Sequence, residues 1–152
     1  MKENFSIINK TKGKLPSLPF VKIKNDILGK NYSLSVAFVE KNKSREINKK
    51  YRNKNKATNV LSFSLRKNEG ELVLCPSVIR GEVKEKNKSL HLGSTLKSET
   101  FEKWLGFLVI HGMLHLKGME HSSRMEEAEK KYDQKYFFSA SSILLQCSIP
   151  FK

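Results

Sequence analysis

The chain has 152 residues, 38% hydrophobic and 29% charged, which fits one domain spanning residues 1–152 and is polar without predicting disorder. A formal charge of +14 points to a polyanionic partner, nucleic acid or an anionic membrane surface, with lysine-rich solvated surface as the plainer reading. Two cysteines, Cys75 and Cys147, exclude a disulfide framework, and no apolar run is long enough for a signal peptide or a spanning helix, so a reduced cytoplasmic protein without a membrane role is expected.

Residues 1–30 carry no motif that places them. Ser33-Leu-Ser-Val-Ala-Phe-Val39 alternates and then turns apolar, which predicts a strand. Residues 42–51 predict a short helix, with Ile47 and Tyr51 four apart and Ser44 near its start. A basic loop follows over 53–57. Residues 58–65 and 71–75 predict two further strands around a turn at 67–70, the second stopped by Pro76. Residues 83–97 read as a loop or a frayed helix start, with His91 an ordinary surface histidine. Ser98 is the expected cap of a helix in which Phe101, Trp104, Leu105, Leu108, Val109 and Leu114 keep the helical period. This helix should be the buried spine, ending near Gly118. Ser122 or Ser123 should cap another helix, carrying Met125, Ala128, Tyr132 and Tyr136. Residues 137–151 read as a buried last element. Strands early and helices late predict an α+β fold, a small mixed β-sheet flanked by helices.

The densest chemistry is in His111-Gly-Met-Leu-His115-Leu-Lys-Gly118-Met-Glu-His121, which holds three of the four histidines. His111 and His115, four apart, share one helix face at an offset of about 40°. Gly118 can adopt the positive φ that ends a helix and turns the chain back, bringing His121 toward the other two. Three imidazoles converging this way make an open metal site; zinc at a catalytic site commonly takes three protein ligands and leaves one position for water. Bound zinc lowers the pKa of such a water to about 7 and polarises a phosphoryl oxygen.

The spacing His-x3-His-x5-His also occurs in metzincin proteases, but there Glu follows the first histidine as general base. Here that residue is Gly112, which disfavours peptide hydrolysis. A closed structural zinc site would need a fourth ligand such as Cys75, and a chain without metal is the bland alternative. Arg52, beside the basic loop, has a fork that fits phosphate, although alone it would pass for a surface arginine.

Four segments resemble the YbeY family of bacterial rRNA maturation factors. The histidine segment is similar to that family's H-G-x-L-H-L-x-G-x-D-H. Asn48-Lys-Lys-Tyr51-Arg52 with Thr58-Asn59-Val60-Leu61-Ser62-Phe63 is similar to its N-x-x-Y-R and T-[DN]-V-L-S-F. Gly70-Glu71-Leu72-Val73 is similar to its G-D-I, and Met125-Glu-Glu-Ala-Glu129 to its M-E-x-x-E. The resemblance implies His111, His115 and His121 as ligands of one zinc ion, and Arg52 as an essential arginine. It implies a metal-dependent endoribonuclease that cleaves single-stranded RNA in small-subunit rRNA end processing and ribosome quality control. The small ribosomal subunit and one of its proteins are then the expected partners. Rival readings are an assembly factor that binds RNA or protein around a structural metal, and a metallohydrolase on another substrate. Glu120 stands where the family has Asp, Glu71 where it has Asp, and Ala57 where it has Pro. Glu120 is expected to orient a ligand histidine or to act as the base.

Overall fold

The computed structural model describes residues 4–88 and 99–137. The elements run β1 (Phe5–Asn9), α1 (Phe20–Ile27), β2 (Ser33–Phe38), α2 (Lys41–Arg52), β3 (Val60–Arg66), β4 (Glu69–Leu74), α3 (Pro76–Lys88), α4 (Phe101–Leu116) and α5 (Ser123–Phe137). The sheet order is β1-β2-β4-β3. β1, β2 and β4 run parallel, and β3 is antiparallel to β4, so the expected small mixed sheet with helices on it is present.

Alternation along the strands decides which side each helix covers. Leu34, Val36 and Phe38 of β2 and Leu72 and Leu74 of β4 face one way. They form the main core with Ile23 and Ile27 of α1, Leu105, Leu108, Val109 and Met113 of α4, and Met125 of α5. Val39, Leu61 and Val73 face the other way and pack with Ile47 of α2. Helix α4 touches β3, β4, α1, α3 and α5, which makes it the spine. Among the described residues no helix is long and apolar enough to cross a membrane.

Several boundaries differ from expectation for identifiable reasons. β1 and α1 occupy the stretch that had no motif. Helix α2 starts at Lys41, so Ser44 lies inside it and is buried. Pro76 does stop β4, but it also opens α3, since a first-turn proline lacks only an N–H that would be unpaired anyway. Much of the expected loop over 83–97 is therefore the second half of α3, and the rest of that stretch, with His91, lies outside the described residues. Thr100 caps α4, its side chain accepting from Lys103 N at 3.2 Å. Ser98, expected in that role, lies outside the described residues, as does nearly all of the apolar tail over 137–151. Ser122 caps α5, accepting from Met125 N at 3.3 Å.

Candidate metal centre

Helix α4 buries most of its circumference, and apart from its first turn and its last residue what it leaves accessible is one stripe. Trp104, Phe107, His111 and His115 recur every three or four residues, so they line up along one face. The end of the helix adds the third histidine. Gly118 takes φ 103°, its N–H bonds to the His115 carbonyl at 2.9 Å, and Met119 N–H bonds to the Leu114 carbonyl at 3.0 Å. This is the Schellman pattern, and it reverses the chain so that His121 comes back over the helix. One nitrogen from each of His111, His115 and His121 lies within 4.8 Å of the others.

Hydrogen bonds on the far side of two rings settle which nitrogens face inward. His115 Nδ1 lies 3.0 Å from the Met119 carbonyl, an acceptor only, so Nδ1 carries the proton. His111 Nδ1 lies 3.0 Å from Glu129 Oε2 on α5, whose residue is 5% exposed. Both Nε2 lone pairs then point at each other across 3.1 Å, an arrangement that repels unless a cation lies between them. The donor set therefore fits a metal ion, and among the described residues no fourth His, Cys, Asp or Glu joins the group. Cys75 is buried at the end of β4 and is not part of the group. Burial, and then the neighbouring His111, lowers the His115 pKa, which favours the neutral ligand form.

The histidines open into a cleft of about 460 Å³ lined also by Arg52, Thr58, Asn59, Val60, Ser62, Trp104, Phe107 and Leu108. Arg52 is delivered by the last residue of α2, and Asn53 ends that helix with φ 57°, a left-handed cap. Two buried side chains of α2 strap the following loop. Asn48 Nδ2 donates to the Lys56 carbonyl at 2.8 Å, and Ser44 Oγ donates to the Thr58 carbonyl at 3.0 Å while accepting from Thr58 N at 2.9 Å. The strap puts Arg52 and Thr58–Asn59 on the rim opposite α4.

The family model described as endoribonuclease YbeY matches residues 16–141. The chain belongs to the YbeY endoribonuclease family. The YbeY of Staphylococcus carnosus is 36% identical over 74% of this chain and 73% of its own length. That of Colwellia psychrerythraea is 38% identical over 65% of this chain and 61% of its own. The solution structure of TM1509 from Thermotoga maritima superposes with a TM-score of 0.59 at 28% identity, over 97% of this chain and 99% of that one.

Arg52 and the three histidines share one cleft, whereas Glu120 is exposed and is not among the lining residues. The carboxylate against a ligand candidate is Glu129, which the sequence motif contained but did not mark as a site residue. Gly112 faces the sheet, with its carbonyl accepting from Ser62 Oγ at 3.0 Å. A Cβ there would lie 2.7 Å from Leu72 Cδ2, so a side chain at 112 would enter the core and not the cleft. Trp104, one of the residues that keep the period of α4, is partly buried against the main core and also lines the cleft.

Proposed function

We propose that this chain is a zinc-dependent endoribonuclease that cleaves single-stranded RNA in the cytoplasm, acting in small-subunit rRNA 3′-end maturation and ribosome quality control. The observation that carries the reading is the convergence of three imidazole nitrogens within 4.8 Å on a cleft that also holds Arg52. His111, His115 and His121 hold the ion. Zinc in such a site supplies Lewis acidity and lowers the pKa of water. Arg52 grips the scissile phosphate with two parallel N–H donors and offsets the charge that builds on its oxygens. Glu129 and the Met119 carbonyl keep two imidazoles in the tautomer that presents Nε2. Exposed lysines at 54 and 56 follow the strand through its phosphates, so binding weakens steeply with salt. Glu120, next to His121 in the chain but exposed and outside the cleft lining, would act as base only through solvent, and Glu120→Gln tests that role through the pH dependence of cleavage.

The experiment is cleavage of a labelled single-stranded RNA by pure protein, with and without chelator, and with His115→Ala and Arg52→Ala. Activity lost with chelator and with His115→Ala supports the reading, and equal activity in all conditions sinks it. Product ends identify the attacking group, because attack by the ribose 2′-OH leaves a cyclic phosphate.

One observation favours a second reading. Among the described residues lining the cleft none is Asp or Glu, so none of them offers a carboxylate base there. An RNA-binding assembly factor with a structural metal would bind the same RNA, show no metal-dependent cleavage, and unfold on chelation.

A further inference from the structure

Trp104 is the chain's only tryptophan, and its ring continues a ladder that starts at a candidate ligand. The His111 and Phe107 rings are 6.3 Å apart and 23° from parallel, and the Phe107 and Trp104 rings are 5.1 Å apart and 5° from parallel. The indole plane is tethered. Trp104 Nε1 donates to Glu82 Oε1 at 3.0 Å, and the same carboxylate accepts from Asn59 Nδ2 at 3.1 Å on each oxygen. Glu82 therefore ties α3, α4 and the start of β3 together behind the cleft wall. The Lys86 ammonium lies 3.9 Å from the Trp104 ring centroid.

We infer that Trp104 is the stacking surface for one unpaired nucleobase of the RNA, adjacent to the reacting phosphate, with Glu82 as the residue that holds its plane. The inference rests on the RNA reading above. Seven residues at 1.5 Å each put Trp104 about 10 Å along the helix from His111, clear of the phosphate that the histidines and Arg52 would hold. An indole whose N–H is already bonded loses little freedom when a base lands on it. Stacking on an aromatic face is sequence-tolerant, because every base has one. A base arriving on the Lys86 side meets a cation already over the indole face, which suits the negative charge of the phosphates that flank the base. Bases inside a duplex are already stacked on each other, so this wall admits only single strands.

The test uses whole protein with its metal, titrated in the cold, where turnover is slow, with a short labelled oligoadenylate. Anisotropy reads binding, and Trp104 emission reads stacking. We expect quenching that saturates with the anisotropy, no quenching by an abasic oligomer of equal length, and none by a blunt RNA duplex. Trp104→Tyr should keep most of the affinity, and Trp104→Leu should weaken oligoadenylate binding roughly tenfold. If Trp104→Leu fails to fold, the contrast between oligoadenylate and abasic oligomer on the unaltered protein decides. Binding without quenching, or equal quenching by the abasic oligomer, overturns the inference and leaves the RNA reading standing. Absence of binding to any oligomer overturns both.

Discussion

Glu129 of α5 accepts from His111 of α4 across 3.0 Å, and this contact links α5 to the histidine cluster. A buried carboxylate behind an imidazole fixes its tautomer and raises its basicity toward a cation. Glu129→Ala should lower zinc affinity about 10- to 100-fold, and Glu129→Gln less, because an amide oxygen still accepts. Competition against a chromogenic chelator measures this, and unchanged affinity in the alanine variant would remove Glu129 from the site.

Gly112 is required by the closeness of α4 to the sheet. A methyl group there would sit 2.7 Å from Leu72 Cδ2 and 3.1 Å from Ser62 Oγ, and Leu72 is fully buried. Gly112→Ala should cost about 2 kcal/mol of stability through overpacking. Urea unfolding with the metal chelated measures it; a neutral result would mean that β4 yields without strain.

Asp133 gives the folded state a pH dependence. Burial, then Glu99, raises its pKa from 3.8 to about 7, while Lys103 opposes and Glu129 adds to the rise. Its Oδ1 is buried and has no hydrogen-bond partner among the described residues. Because the folded pKa is the higher one, the folded state holds more protons than the unfolded chain between those two values. Stability should therefore fall as pH rises from about 4 to about 7, by a few kcal/mol in all, and level off above. Asp133→Asn should stabilise the chelated protein more at pH 8 than at pH 5 in thermal unfolding, and an equal gain at both would contradict the assignment.

Lys24 is a lysine in the core, 2% exposed. Its ammonium donates to the carbonyls of Gly29, Lys30 and Tyr32 at 3.2, 3.2 and 2.9 Å, closing the turn after α1. Lys24→Met keeps the stem and strands three acceptors, so a loss of about 3 kcal/mol is expected in denaturant unfolding. A loss well under 1 kcal/mol would show that water replaces the ammonium.

What could be read from the chain was what is local. The histidine spacing and Gly118 lie within one helix and its exit turn, and the turn residue dictates the reversal on its own. The mixed sheet was visible in three short apolar runs. The partner of His111 was not, because Glu129 is eighteen residues away and meets it only once α5 docks. That Trp104 also walls the cleft was not legible, because α4 is apolar almost all round and its period does not say which face is left open. Helix α3 was hidden by few apolar residues and by a proline that serves two purposes. Even with the 48–63 motif legible, the role of Ser44 and Asn48 as straps needed the loop to be seen closing on α2.

The Schellman turn after α4 has a consequence for how the cleft can deform. All three imidazoles ride on one continuous eleven-residue unit, while Arg52 stands on a different element across the gap. If α2 swings relative to α4, the gap widens and the arginine withdraws, yet the triangle of nitrogens keeps its dimensions. On the proposed reading, gripping a strand and holding an ion would therefore be mechanically uncoupled, one depending on the distance between two elements and the other on a single helix and its exit turn.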